Sequence, residues 1–359
     1  MNDSALVIAA YLIAVLAIGA FGRRIKGLED FHLAGRSIKL VYLTGTFCAS
    51  IIGASSTLGM AGIGFSSGLP GAWWMLSGTA GLLVLAVLFA GRVRKTGCYT
   101  LPELVGTFYG QRARCAAAVL IVISWIGVVA VQIQASGKVL GAVLGGDQTL
   151  FMAACAAVFV LYTMHGGQSS VIKTDLVQLL IILAGMIVIF TSAWEAAGPE
   201  LLSGQSFPTS PQMGGWDVLT MLVVVGSAYL VGPDMHSRML SAHSPGEARA
   251  SAAISALILI PLAFIITSLG IFAHSLYPAA SPEEAIPLLM TGLLSPALQG
   301  LVAAAMLAAF MSSADTSLMT AASIFTLDIF RKAFSNSGEQ RLMAVSRISV
   351  AIIGLSALA

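Results

Sequence analysis

Charge is what this chain has least of. Asp, Glu, Lys and Arg make up 9% of its 359 residues, against about 25% in an ordinary soluble protein. A chain so poor in charge, with 57% hydrophobic residues and a mean hydropathy of +0.92, has more apolar surface than a water-soluble core of its size could cover. Cysteine is also scarce. Cys48, Cys98, Cys115 and Cys155 show no paired metal spacing, so free thiols are expected. There is no phosphate loop, zinc motif or nucleophile elbow, and the loops are too short for a soluble catalytic domain, which speaks against an enzyme and against nucleic acid as a partner. Met1-Asn2-Asp3 carries no positive charge, and the basic cluster follows the first apolar run. That run is therefore expected to be an uncleaved anchor and not a signal peptide.

Apolar runs of about 20 residues, enough to cross a bilayer, fall at 5–22, 39–68, 71–91, 115–143, 149–164, 171–194, 216–234, 250–275, 295–330 and 342–359. Basic residues are nearly absent from one side of them. With the N-terminus outside, Arg23, Arg24, Lys26, Arg36, Lys39, Arg92, Arg94, Lys95, Arg112, Arg114, Lys173, Arg238, Arg249, Arg331, Lys332, Arg341 and Arg347 fall inside, and only Lys138 outside. Such asymmetry sets orientation. The expectation is one multi-pass domain over 1–359 in a plasma membrane, the bacterial inner membrane, with its N-terminus outside and the lipid bilayer as a partner.

Against this background the polar residues stand out. Ser312, Ser313, Asp315 and Thr316 interrupt the ninth run. An ionisable residue inside the membrane is costly and marks an ion or substrate pathway. Ser312, Asp315 and Thr316 are spaced i, i+3 and i+4 and share a helical face, and an oxygen-only cluster suits a hard cation. The second run carries Gly53, Ser55, Ser56, Thr57, Gly59, Gly62 and Gly64, and the seventh carries Gly226, Gly232 and Pro233. Glycine and proline weaken helix interiors. The two runs lie five apart and so cross in opposite directions, and interrupted spans at matching places in inverted halves point to a transporter's binding site. Close helix packing through small residues is the plainer account of the second run.

Several motifs then fall in order: Gly59 to Phe65 followed by Gly68 and Leu69; Tyr99, Thr100, Pro102 and Glu103; Gly166 and Gly167 with Thr174, Asp175 and Gln178; Arg238; and Met311, Ser312 and Ser313 with Thr326 and Asp328. In these the chain resembles the sodium:solute symporter family, which includes sodium/proline, sodium/sialic acid and sodium/sugar symporters. The resemblance implies an all-α polytopic membrane protein with the leucine-transporter-type inverted repeat of five plus five helices, preceded by one extra helix. Residues 1–38 would hold that helix and an inner loop, 39–194 the first repeat and 216–359 a second repeat that is incomplete. The family has about thirteen spans, so a C-terminally truncated chain is expected. The implied function is sodium-coupled import of a small organic solute by alternating access, with a membrane sensor coupled to a signalling module as the alternative.

By the same resemblance Na+ would be held by Ala49, Ile52, Ala309, Ser312 and Ser313. Asp175, Asp315 and Thr316 match a second ion site; a second sodium, a coupled proton, or an Asp–Arg or Asp–Lys pair (Lys173 for Asp175) all remain open there. Candidates for the solute pocket are Gly53, Ser55, Ser56, Thr57, Trp73, Trp74, Ser77, Gln132, Gln134 and Tyr229. Sugar-transporting members place Glu-Gln where Ser55 and Ser56 stand and an acid where Met75 stands. An amino acid or carboxylate is therefore favoured over a sugar. Trp73 and Trp74 would equally suit an interfacial belt, Gln132 and Gln134 interhelical hydrogen bonds. Asp234 and Arg238 are expected to form a local i, i+4 pair or part of an inner gate. Glu103 is expected to cap a helix, and His165, His236 and His243 to be solvated or capping.

Overall fold

The computed structural model describes residues 3–20 and 25–358, and among them there are helices and no strand. Arg23, Arg24, Met1, Asn2 and Ala359 lie outside the described residues. The main helices are α1 (Asp3–Ala20), α2 (Leu28–Leu33), α3 (Leu40–Ile51), α4 (Ser55–Ser67), α5 (Leu69–Lys95), α6 (Leu101–Leu144), α7 (Gln148–Ala197), α8 (Gly215–Val231), α9 (Pro233–Ser241), α10 (Pro245–Leu276), α11 (Ala285–Leu293), α12 (Pro296–Ala333) and α13 (Glu339–Leu358).

Local chemistry sets the ends. Thr100 accepts from the Glu103 amide at 3.1 Å while Glu103 accepts from the Tyr99 amide at 2.7 Å, with Pro102 in the first turn. This reciprocal cap starts α6 as the sequence suggests. Ser244 and Pro245 start α10 in the same way, with a 3.2 Å bond from the Glu247 amide.

α7 is 50 residues long, about 75 Å if straight, more than twice the roughly 30 Å hydrocarbon core. It is not straight. Gly167 takes φ 57°, ψ −168°, and the Tyr162 hydroxyl meets Thr174 Oγ1 at 2.5 Å. Twelve residues of continuous helix would hold them about 18 Å apart, so the arms 148–166 and 168–197 fold back on each other. A Cβ on Gly167 would also stand 2.9 Å from the Phe31 ring. Glycine is needed there for both conformation and space. Among the described residues seven helices are long and apolar enough to cross a bilayer, eight with the bent pair α3/α4; counting the two arms of α7 separately and adding the shorter apolar α1 gives ten passes.

α12 is the centre: every residue from Val302 to Ile324 is buried. Large apolar side chains point outward instead, among them Leu120 and Ile123 on α6, Leu180 on α7 and Val223 on α8, each more than 60% exposed. Apolar exterior around a partly polar interior is the arrangement a bilayer imposes. The chain is a multi-pass membrane protein. One end of the bundle collects the arginine-rich loops and the other carries Glu283 and Glu284; they are called here the basic and acidic ends.

Candidate functional site

The second apolar run breaks where its glycines and hydroxyls predict. α3 ends at Ile51, Ile52 leaves helical geometry with φ −83°, ψ 84°, and α4 departs at 64° to α3. The Gly53 amide, which an unbroken helix would direct to the Ala49 carbonyl, bonds instead to Ile51 O at 3.1 Å. Ala49 O is thereby released from its helical partner. Ser56 and Thr57 secure the break locally, donating to Ile51 O at 2.6 Å and Gly53 O at 2.8 Å. α8 and α9 part likewise at Gly232, with φ −59°, ψ 125°.

α12 lies against the first break. Ser313 Oγ donates to Ser50 O at 2.9 Å, and Ser312 Oγ donates to Asp175 Oδ1 at 2.6 Å. Contact is close enough that a Cβ on Gly53 would lie 2.6 Å from Ser313 Oγ and 3.1 Å from Gln132 Oε1. Each serine has spent its single proton on a fixed acceptor, so its remaining lone pairs can face a cation. Ala49, Ile52, Ala309, Ser312 and Ser313 are all buried. Of this candidate set the structure shows Ser313 against the broken segment that holds Ala49 and Ile52, with Ala309 one turn before Ser313 on α12. Among the described residues no three His, Cys, Asp or Glu side chains converge; the five candidate ligands would offer neutral oxygens, with the Asp175 carboxylate one hydrogen bond behind Ser312.

The second candidate set is arranged differently. Asp175, fully buried, accepts from Thr46 Oγ1 and Ser312 Oγ. Its cationic neighbour is Arg238, whose Nη2 is 3.9 Å from Asp175 Oδ2, and not Lys173. The Arg238 guanidinium also donates to Thr316 Oγ1, to Thr46 O at 3.4 Å and to Asp234 O at 3.2 Å. Asp234 and Arg238 thus meet one turn apart as expected, but through the Asp234 main chain, with the carboxylate attracted only from beyond ion-pair distance, while the arginine head reaches to α3, α7 and α12. Asp315 stands apart from this guanidinium. Its Oδ1 accepts from Thr163 at 2.8 Å, and its buried Oδ2 has no hydrogen-bond partner among the described residues.

A cavity of about 270 Å³ opens beside the first break, lined by Ser50, Ile51, Gly53, Ser55, Trp125, Val128, Gln132, Ala228, Tyr229, Asp234, Met235, Ser313 and Ser317. Of the ten expected pocket residues it gathers Gly53, Ser55, Gln132 and Tyr229. Gln132 Oε1 holds the Ala54 amide at 2.9 Å, fixing the unwound segment. A second cavity of about 300 Å³ shares Ser55 and runs to Gln134, Lys138 and Glu283 at the acidic end. Trp73 is elsewhere, stacked on Phe207 at 5.8 Å and bonded to Pro208 O at 3.0 Å. Trp74, Ser77, Ser56 and Thr57 do not line the first cavity, because the last two turn into their own helix and Ser77 packs under Gly226. Trp125 and Ser317 join the wall without standing out in the sequence, and Asp234 joins it where the sequence suggests only a pairing or gating role. A lone tryptophan in an apolar run and an acid directly after Gly232-Pro233 were the available signals.

The basic end is tied shut by polar contacts. Arg36 donates to Gly97 O at 2.7 Å and Cys98 O at 3.1 Å. Arg114 and Thr100 both bond Asp328, each at 2.7 Å. His32 sits buried between Ser323 and Ser346, at 2.6 and 3.0 Å. Burial, helped by the Arg331 charge, pushes its pKa down to about 3. His236 caps Gly232 O at 2.9 Å and His165 bonds Leu161 O at 2.8 Å, while His243 is exposed beside Glu247.

Comparison with known proteins gives the same picture. The sequence model of the Sodium:solute symporter family matches residues 31–359. The chain is 29% identical to the sodium/glucose cotransporter of Vibrio parahaemolyticus over 97% of this chain and 72% of that protein. It is 27% identical to sodium/glucose cotransporter 4 of Danio rerio and 26% to the human sodium/myo-inositol cotransporter, over 97% of this chain in both cases but 61% and 57% of those proteins. The chain thus spans little more than half of these vertebrate relatives. The solved substrate-bound, outward-open state of a Na+-coupled sialic acid symporter superposes with a TM-score of 0.89 at 19% identity, covering 100% of this chain and 81% of that one. The fold is the inverted-repeat, leucine-transporter type, preceded by α1.

Proposed function

The chain belongs to the Sodium:solute symporter family, and on that premise we propose that the protein is a sodium-coupled secondary transporter, not an enzyme, that imports a small organic solute by alternating access. The observation that carries this reading is the junction of α3 and α12. There the Gly53 amide turns to Ile51 O and leaves the Ala49 carbonyl without its helical partner, while Ser313 bonds Ser50 O in the next position of the same segment. Sodium held by Ala49, Ile52, Ala309, Ser312 and Ser313 would fasten the broken helix to α12. Neutral oxygens hold the ion without trapping it. Linkage is reciprocal, so solute and sodium tighten each other's binding by the same factor.

Orientation follows from charge: the basic end is cytoplasmic, the acidic end and the N-terminus are outside, and the membrane is a bacterial inner membrane. With the basic end closed and the two cavities sharing Ser55, the solute enters from the acidic end. A cavity of about 270 Å³ is at the small end of the range for small-molecule sites. It suits an amino acid or carboxylate better than a sugar, which needs more donors and acceptors than its walls offer. At the second site the Arg238 guanidinium supplies the cation that Asp175 and Thr316 require, so one sodium is coupled to each solute.

Reconstitution of the complete protein in liposomes tests this. An imposed inward sodium gradient should drive solute uptake that Ser312→Ala or Ser313→Ala weakens through sodium affinity. Uptake indifferent to sodium, or to both serines, overturns the proposal.

A further inference from the structure

The cavity beside the sodium junction contains one acid, and the cation nearest to it is shared with a second acid. Asp234 begins α9 directly after the Gly232 break and lines the cavity half-buried. Its carboxylate enters no ion pair among the described residues. Arg238, one turn on, attracts it from beyond ion-pair distance, but that single guanidinium contacts the Asp234 main chain, bonds Thr316 and Thr46 and faces Asp175, so two carboxylates share one cation. Around the acid stand Trp125 and Tyr229, with Ile51, Val128, Ala228 and Met235 as apolar wall. The Trp125 indole N–H is buried with no hydrogen-bond partner among the described residues.

Each of these features constrains what fits. A solute that fills the cavity expels the water that screens Asp234, and a carboxylate so stripped demands a counter-charge. A neutral polyol brings none, and a simple carboxylate brings the wrong sign. Aromatic faces attract cations. An orphaned indole N–H requires an acceptor. One chemistry meets all three demands: a positively charged nitrogen joined to an oxygen acceptor.

We propose that Asp234 is a solute-binding residue and that the cavity takes a zwitterionic amine, an amino acid or betaine-like compound. Its cationic nitrogen lies against Asp234 between Trp125 and Tyr229, and its oxygen accepts from the Trp125 N–H. The proposal rests on the symporter reading and narrows its solute class, favouring amino compounds over both simple carboxylates and sugars.

Binding to the complete purified protein at saturating sodium decides the matter, with L-proline, L-alanine, glycine betaine, pyruvate, D-glucose and myo-inositol as probes. At least one of the three amines should bind, and Asp234→Asn should weaken it about 10- to 100-fold, as loss of a charge-assisted contact does, while stabilisation by sodium alone stays unchanged. Trp125→Phe, which keeps the ring and removes the donor, should weaken the same amine by a smaller factor. Failure of every amine, tighter binding of glucose, inositol or pyruvate, or amine binding equal in Asp234→Asn and wild type overturns the proposal. Should Asp234→Asn not fold, Asp234→Glu and the wild-type ranking of probes discriminate in the same way. Wild type that sodium stabilises but no amine binds sinks this inference alone; wild type that sodium does not stabilise sinks the symporter reading beneath it.

Discussion

On the proposed mechanism, removing the Arg238 guanidinium should add a second sodium response to the one proposed at the α3–α12 junction. Arg238 and Asp175 are both fully buried, with Nη2 and Oδ2 3.9 Å apart. At an effective dielectric of about 20 their attraction is roughly 4 kcal/mol, and deleting one member of a buried pair typically costs about 3–5 kcal/mol. In Arg238→Met, a near-isosteric apolar replacement, Asp175 keeps its bonds from Thr46 and Ser312 but loses its counter-charge. Sodium can then supply it. At 100 times its dissociation constant an ion restores about 2.7 kcal/mol. Thermal unfolding should be followed in detergent while sodium replaces N-methylglucamine at constant ionic strength. The variant should be much less stable than wild type without sodium and recover most of the deficit with it, and its sodium response should steepen from one ion towards two. Asp175→Asn placed on top should restore stability without sodium, because no charge is left to compensate. If Arg238→Met shows the wild-type sodium response, or the double variant is no more stable than the single, the guanidinium is not acting as the resident cation.

Ser313→Ala and Ser312→Ala should each weaken sodium binding by about 1.5–3 kcal/mol, the worth of a bond to a charged partner, roughly 10- to 100-fold in a sodium titration. Gly53→Ala should weaken sodium comparably without touching a side-chain ligand, since its Cβ would meet Ser313 Oγ at 2.6 Å and force the unwound segment off α12; unaltered sodium affinity would refute the close approach. For His32, whose folded pKa is depressed to about 3, the unfolded chain binds the extra proton below about 6.5. Stability is then complete above pH 6.5 and falls by up to about 1.4 kcal/mol per unit as pH drops towards 3. His32→Asn should flatten that part of the stability profile, and an unchanged acid slope would exonerate His32.

The passes and both helix breaks were legible because each depends on local chemistry: apolar length, and glycine or proline where a backbone must unwind. Ser312 and Ser313 were legible for the same reason, as paired hydroxyls beside an acid are out of place in a lipid-facing helix. What escaped was set by distance along the chain. Arg238 looked like the partner of Asp234 at i, i+4, but its long side chain crosses to Thr316, 78 residues away, and to Thr46, 192 away. The cavity draws walls from α3, α4, α6, α8, α9 and α12, so no window of sequence contains it. Trp73 and Trp74 form a conspicuous pair in the sequence, whereas Trp125, whose ring lines the cavity, gives no periodic signal. The fold-back of α7 was half visible: the run divides near Gly166 and Gly167, but only the Tyr162–Thr174 contact shows that the two arms lie together.

On the proposed alternating-access mechanism, the distribution of polar contacts indicates which parts would separate. Three bonds join the broken helices to the central pair α7 and α12: Ser313 to Ser50 O, Thr46 to Asp175, and Arg238 to Thr316. All are buried, and each has one end within a few residues of the candidate sodium ligands. By contrast, Ser312–Asp175 and Thr163–Asp315 lie wholly within α7 and α12 and need not break. The acidic end is crossed by Lys138–Glu283, a 2.9 Å pair whose glutamate is 83% exposed, and such pairs contribute about 0–1 kcal/mol. The basic end is held by the Arg36 carbonyl contacts and the buried Arg114–Asp328–Thr100 cluster. Closing the acidic side therefore has little to undo, whereas opening the basic side must break desolvated bonds. On that mechanism a cation at the α3–α12 junction would strengthen the same three bonds that opening would sever, so loss of sodium would be the step that frees the broken helices to move.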